Sequence, residues 1–343
     1  MQATGPARSD APRLGLSTAS AAIPEAACSG GLALNHQPYE LYSKANHITW
    51  QSLYCRNQEL WARYANERFL EGLEYLRLPE DRVPRLDEVT AFLAPRTGFR
   101  AEPLSGYLPA FTYFDSLKQR KLPTAITIRG ADSSDNASEP DIFHDVAGHA
   151  PMHADRAFGE ALMAFGTCAH TAVELVSPIR EPEEQLRRLT SLVKALTRFF
   201  WFTVESGLVR CGNVLKAYGS GLLSSGRAIE HAIDSPQVQR TDLNLDWVIH
   251  QPFETGRQQP LLFIVESFEH LLELTGTLEK WMRAGRLDHV SGGKPDVCAA
   301  DLDSFLQVCE TLQPSRLRSS RILPYPLSHR KRLAHRRLSA NLS

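Results

Sequence analysis

Glu139-Pro-Asp-Ile-Phe-His-Asp-Val-Ala-Gly-His149 is the densest chemical stretch of the chain. Pro140 suits the first turn of a helix, because the N–H it lacks is one a helix start leaves unpaired. Asp141 favours the positive end of the same helix. His144 and His149 are five residues apart, which on an ideal α-helix separates them by about 140° around the axis. A regular helix cannot aim both imidazoles at one point. The spacing therefore predicts a helix that distorts or ends near Gly148. It differs from HExxH, where one face of a regular helix carries both ligands. Spacing alone also leaves open two unrelated histidines, one in the core and one outside. His153, past the motif, is expected on the surface.

A metal site needs a third ligand, and Glu205 is the candidate. It lies in Phe199-Phe-Trp-Phe-Thr-Val-Glu-Ser-Gly-Leu208, an apolar run in which a carboxylate requires a partner. Burying an unpaired charge is costly, and a metal removes that cost. The alternative is an exposed Glu at a helix end. Two His and one carboxylate with open positions form the ligand set of non-haem iron(II) oxygenases. Zinc hydrolases use the same donors, so the ligands alone do not choose the metal. His144-Asp145 is also an HD dyad, which raises a metal phosphohydrolase as the rival from another class. Its surroundings oppose that reading, since Arg129 is the nearby basic group and Trp201 with the Phe cluster suits a ring.

Around this stretch helical patterns dominate. Leu53, Tyr54, Leu60, Trp61, Tyr64 and Leu70 recur near the helical period between Trp50 and Tyr75. A helix is expected from Asp87 as its N-cap, another over Arg156–Leu175, and a third over Glu183–Glu205 that stops at Gly207. Strand signals are few: Thr124–Arg129 alternates, with Ile126 and Ile128 on one face, and Leu261–Val265 is a short apolar run before another helix. The pattern predicts a mostly α domain with small β-sheets (α+β). It has neither a βαβαβ rhythm nor a GxGxxG.

The 343 residues are 43% apolar and 22% charged, an ordinary globular composition. With 38 basic and 39 acidic groups, no global field recruits nucleic acid or an anionic membrane. No apolar run approaches membrane-spanning length, and the N-terminus lacks the apolar core of a secretory signal. The six cysteines are far apart and form no CxxC pair, so a disulfide scaffold or cysteine zinc site is not expected and a cytoplasmic setting fits. Residues 1–36 read as a flexible leader, 37–312 as the folded catalytic body and 313–343 as a disordered tail. That tail carries Arg316, Arg318, Arg321, Arg330, Lys331, Arg332, Arg336 and Arg337 and no acidic residue.

From about Tyr39 to Leu274 the chain resembles the pterin-dependent aromatic amino acid hydroxylases, in the short form of a bacterial phenylalanine hydroxylase-like catalytic domain. The resemblance rests on ordered blocks: Phe69-Leu-Glu-Gly-Leu73 with Pro84-Arg-Leu-Asp-Glu-Val89, the 139–149 motif and Trp201-Phe-Thr-Val-Glu205. Lys216-Ala-Tyr-Gly-Ser-Gly-Leu-Leu-Ser-Ser225 and Val265-Glu-Ser-Phe268 complete it. It implies a monooxygenase that uses Fe(2+), a tetrahydropterin such as tetrahydrobiopterin and O2 to hydroxylate the ring of phenylalanine, giving tyrosine. Phenylalanine 3-hydroxylation to meta-tyrosine and tryptophan hydroxylation are the alternatives within the same chemistry. The implied metal ligands are His144, His149 and Glu205. Arg129 would hold the amino acid carboxylate, with Asp141 orienting it. Pro140 and Trp201 would line the ring pocket, and Ser224 would assist at the carboxylate and support His144. Gly106, Leu108 and Tyr113 would cradle the pterin, with Asp145 reaching it through water. The chain departs from the family at Ser206, where Phe is usual, at Ser220, at Ala137 and at Phe200. Ser206 and Ser220 are therefore read as pocket positions that set where the ring lies. Small-molecule partners and a monomer or weak oligomer are expected, with no nucleic acid and no membrane.

Overall fold

The computed structural model describes residues 32–33, 36–106, 108–130, 140–254 and 257–312. Twelve α-helices, two π-helical segments and seven strands occupy them. The chain opens with β1 (Leu32–Ala33), α1 (Lys44–Tyr64), α2 (Glu67–Leu76) and α3 (Leu86–Thr97). Then come β2 (Arg100–Ser105), α4 (Ala110–Lys118) and β3 (Lys121–Ala125). A first π-segment (Phe143–His149) runs into α5 (Ala150–His153), followed by α6 (Arg156–Val176) and α7 (Pro182–Phe200). A second π-segment (Trp201–Glu205) extends α7, and β4 (Leu208–Cys211), β5 (Val214–Ala217), α8 (Ser220–Leu223) and α9 (Gly226–Asp234) succeed it. The remainder is β6 (Gln239–Asp242), α10 (Leu245–His250), β7 (Leu261–Val265), α11 (Phe268–Arg283) and α12 (Ala299–Thr311).

The architecture is mostly helical with two small sheets, as the sequence predicts. One sheet has the order β1-β2-β3, and α4 makes the crossover between the parallel strands β2 and β3. The other has the order β5-β4-β7-β6, with β7 pairing in parallel to both β4 and β6. Leu32 and Ala33, inside the expected leader, pair with Ser105 and Leu104. The rest of residues 1–31 and the basic tail lie outside the described residues.

Helix α6 is the central post. Phe158, Ala161, Leu162, Phe165, Cys168, Ala169, Ala172, Val173 and Val176 recur at helical spacing and are all buried, against α4, α7 and α11. It matches its expected range to within a residue.

Four boundaries differ from the sequence reading, each for a local reason. The apolar period through Trp50–Tyr75 is two helices, because Asn66 leaves α1 and caps α2, accepting from Arg68 N–H at 2.8 Å. Helix α3 starts at Leu86, so Asp87 lies inside its first turn while Glu88 accepts from Arg85 N–H. Strand β3 covers 121–125 instead of 124–129. It ends where the Asp145 carboxylate takes the Ala125 N–H at 2.7 Å, although Ile126 and Ile128 are buried beyond it. The expected helix over Glu183–Glu205 is α7 plus the second π-segment.

Arg198 on α7 is completely buried and has no carboxylate partner among the described residues. Its guanidinium donates to the carbonyls of Ile249, Ser291, Gly292, Gly293 and Lys294 at 2.9–3.3 Å, pinning the segment after α11 to α7. Burial holds its pKa down at about 10. Arg198→Ala removes a fan of charge-assisted bonds and strands buried carbonyls, so the chain is expected to lose roughly 3–5 kcal/mol of stability in a denaturant titration. An unchanged midpoint overturns that role.

Candidate metal and substrate site

A π-helix bonds residue i to i+5, so residues five apart stack on one face. The first π-segment does this to His144 and His149, whose rings stand 4.9 Å apart, edge to face. The expected distortion is present, and it spans 143–149 without ending the helix, which continues through α5. The second π-segment brings Glu205 to the same place. Its Oε1 lies 3.3 Å from His149 Nε2 and its Oε2 3.6 Å from His144 Nε2. Donors about 2.1 Å from one ion and at right angles to each other stand about 3.0 Å apart, so this spacing suits a shared ion.

Asp145 is a second carboxylate at the cluster. Its oxygen and the ring nitrogens of His144 and His149 lie within 4.8 Å of one another. The two acids differ in their commitments. Asp145 Oδ2 already accepts from Ala125 N–H, and burial raises its pKa to about 7. Burial also acts against ionised Glu205, but His149 and His144 beside it bring its pKa down to about 2. Burial opposes protonation of His149 as well, and Glu205 nevertheless raises its pKa. His144 is pushed down to about 4 by burial, with the neighbouring His149 charge adding to it. A ligating carboxylate must be ionised, and Glu205 is the one held so.

Helix α8 orients Glu205 and His144. Ser220 donates to Glu205 Oε2 at 2.8 Å. Ser224 Oγ donates its single proton to the Ser220 carbonyl at 2.8 Å and lies 2.8 Å from His144 Nδ1. With that proton committed, Nδ1 must be the donor, which leaves the His144 lone pair on Nε2, facing Glu205. The helix reaches this position only because its backbone comes close: a Cβ on Gly219 would stand 2.5 Å from the Glu205 carbonyl, and one on Gly148 would stand 3.0 Å from that of Ser220. The donor set, its tautomer and its ionised carboxylate fit a divalent metal with nitrogen and oxygen ligands.

The substrate-side residues stand next to this cluster. Arg129 is buried and forked onto Asp141: Nε to Oδ2 at 2.8 Å, Nη2 to Oδ1 at 2.7 Å, and the Arg129 N–H to Oδ2 at 2.8 Å. Asp141 also accepts from His144 N–H at 3.0 Å, which ties the fork to the π-segment. Burial raises the Asp141 pKa, and the adjacent guanidinium more than reverses this. Trp201 stacks on Phe253 at 4.5 Å and 3°. Tyr113 packs edge-on against Phe114 and Phe200. Burial, with Glu205 and Asp145 nearby, holds its hydroxyl well above the usual phenol range. Leu108 is buried and Pro140 half-buried. Residue 107 and the segment 131–139, with Ala137, lie outside the described residues.

Two positions differ from the sequence reading. Ser220 is fully buried and turned onto Glu205, so it holds a carboxylate and is not an open wall of the ring pocket. Ser206 is buried, and its hydroxyl makes no hydrogen bond among the described residues. His153 is not on the surface: it is 1% exposed, its ring contacts His149 at 5.9 Å, and its Nδ1 donates to the His149 carbonyl at 2.8 Å. Its spacing of four from His149 on a continuing helix was the signal that could have placed it.

The comparisons agree with this fold. Residues 34–284 match the family described as biopterin-dependent aromatic amino acid hydroxylase. A phenylalanine-4-hydroxylase of Ralstonia nicotianae is 30% identical over 70% of this chain and 72% of its own length. Rat tyrosine 3-monooxygenase is 34% identical over 67% of this chain and 44% of its own length. The structure of Chromobacterium violaceum phenylalanine hydroxylase bound to cobalt superposes with a TM-score of 0.65 at 28% identity, covering 78% of this chain and 91% of that one. The chain belongs to the biopterin-dependent aromatic amino acid hydroxylases. It is an aromatic amino acid monooxygenase of a family that uses iron and a tetrahydropterin. Nothing found supports the phosphohydrolase reading. No helix among the described residues is long and apolar enough to cross a membrane.

Loss of the ligand and loss of its support should be separable. Glu205→Gln is expected to abolish tight cobalt(II) binding, and Ser220→Ala to weaken it by roughly 10–100-fold. Chelator competition on the folded proteins checks both. Wild-type affinity in Ser220→Ala would show that the hydroxyl does not act through Glu205.

Proposed function

We propose that the chain hydroxylates phenylalanine at C4, giving tyrosine, with iron(II) held by His144, His149 and Glu205. The observation that carries the ligand assignment is Glu205 facing both imidazole Nε2 atoms while Ser224 fixes the His144 tautomer. The phenylalanine assignment is supported by the bacterial relatives named phenylalanine-4-hydroxylase. Iron and tetrahydropterin together activate O2 and deliver one oxygen atom to the ring.

The chain's residues would position the reactants and keep water out. Arg129, oriented by its two bonds to Asp141, would hold the amino acid carboxylate as a planar fork. Trp201, backed by Phe253, and Pro140 would bound the ring. Gly106, Leu108 and Tyr113 would face the pterin, with Asp145 at its metal side. Arg129→Lys keeps the charge and loses the fork. It is expected to raise the KM for phenylalanine at least tenfold while cobalt(II) affinity stays within twofold. An unchanged KM would remove Arg129 from the carboxylate site.

A second reading, C3 attack or hydroxylation of tryptophan, is favoured by Ser206. A small side chain directly after Glu205 leaves room for the ring to lean or for an indole to enter. A displacement of about 1 Å at a reacting atom can change rate by ~10²-fold. The deciding experiment supplies Fe(II), a tetrahydropterin and O2 with phenylalanine, tryptophan or tyrosine, and identifies the products by mass and NMR. Tyrosine from phenylalanine supports the main reading. Ser206→Phe is expected to shift the product ratio toward para attack on phenylalanine and away from tryptophan. An identical ratio in wild type and variant would show that this position does not set selectivity.

A further inference from the structure

Helix α4 begins without a cap of its own. Its preceding residue is Pro109, whose side chain makes no capping bond, so the first N–H groups of the helix need partners from elsewhere. They find them on α12, about 190 residues further along the chain. Ala110 N–H donates to Asp301 Oδ1 at 2.8 Å, and Phe111 N–H donates to Ser304 Oγ at 3.2 Å. Ser304 gives its own proton to the Asp301 carbonyl at 2.6 Å, so its oxygen is left to accept. Asp301 is completely buried, and Cys298 Sγ donates to its other oxygen. Phe305 closes the joint edge-on against Phe111, 5.1 Å between ring centres.

Residues 299–311 lie beyond the stretch that matches the family, 34–284. Yet α12 holds the turn that carries Tyr113, whose N–H closes that turn on the Pro109 carbonyl at 3.0 Å. The same turn continues directly from Gly106 and Leu108. A carboxylate at this helix start also meets the positive end of the helix dipole.

We propose that α12, through Asp301 and Ser304, is a positioning element for the pterin-facing wall: it caps α4 in trans and so sets the loop and Tyr113 against the cofactor. This rests on the reading that residues 106–113 face the pterin. Remote capping makes the wall's geometry depend on a helix that touches neither metal nor amino acid. Loosening it therefore acts on pterin binding and spares the metal.

The test uses the full chain loaded with cobalt(II), titrated calorimetrically with 7,8-dihydrobiopterin. Asp301→Ala is expected to weaken pterin binding about tenfold, equivalent to roughly 1.4 kcal/mol, the typical size of a lost cap. Cobalt(II) affinity should stay within twofold. Asp301→Asn keeps an acceptor oxygen and should recover most of the pterin affinity, which a merely disrupted core would not do. If Asp301→Ala does not fold, Ser304→Ala, which deletes one neutral acceptor, carries the test with about a threefold loss expected. Tyr113→Ala separates the two ideas. If Tyr113→Ala weakens pterin binding while the folded α12 variants bind as wild type, the inference falls alone. If Tyr113→Ala also binds as wild type, the pterin reading falls and takes the inference with it.

Discussion

Helix α8 lies against the backbone of Glu205 at a distance only glycine permits, and the site depends on that approach. Serines four residues apart on one short helix can reach ligands on two different segments only if the helix is wedged between them. Ser220 reaches Glu205 on the second π-segment, and Ser224 reaches His144 on the first. A Cβ at 219 would push the wedge out and separate both hydroxyls from their targets at once. One packing contact therefore fixes the carboxylate orientation, the imidazole tautomer and the spacing between the two π-segments.

The class of fold was legible in the sequence, as was the company that His144, His149 and Glu205 keep; the way these side chains meet was not. Periodicity found α6 because its buried apolar side chains, from Phe158 to Val176, follow the helical repeat. It found β7 because an apolar run between polar residues has few other homes. It could not show that the chain underwinds its hydrogen-bond ladder at 143–149, since nothing in Phe-His-Asp-Val-Ala-Gly-His distinguishes an i+5 ladder from an i+4 one. The geometric conflict of two ligands about 140° apart on a regular helix was the visible sign, and it correctly demanded a distortion. Boundaries set by distant groups were illegible for the same reason: β3 ends on a side chain twenty residues away, and α4 is capped from the far end of the chain. Arg198 gave no sign of its burial, because its partners are carbonyls and every residue has one.

Electrostatics sorts the buried acids of the site into two kinds. The buried acids Asp141 and Glu205 have basic partners close by, Arg129 for one and the His149 imidazole, whose pKa Glu205 raises against burial, for the other. Asp145 has no such partner as close, and burial moves it toward the neutral form. A divalent ion held as proposed would meet side chains already arranged for it: Glu205 is kept ionised beside the two imidazoles, and His144 presents its Nε2 lone pair. Such an ion would demand little rearrangement, because the hydrogen bonds that hold Glu205 and His144 come from the side of α8, from Ser220 and Ser224.

The two ends of the site are built on different physics, and that bears on how one framework serves several aromatic substrates. At the metal end the key polar atoms are committed: a serine proton, an imidazole N–H and a carboxylate lone pair each have a single partner. Changing one member leaves another unpaired in a dry interior, which typically costs about 1–3 kcal/mol before any effect on chemistry. At the other end Trp201, Phe253 and Ser206 meet their surroundings mainly through contact. Exchanging one apolar surface for another there costs packing energy and leaves no orphaned donor. The two ends are adjacent in sequence but separate in physics: the π-segment ends at Glu205, which faces the imidazoles of His144 and His149, so an exchange at Ser206, just past that ladder, changes apolar contact while leaving those polar contacts in place.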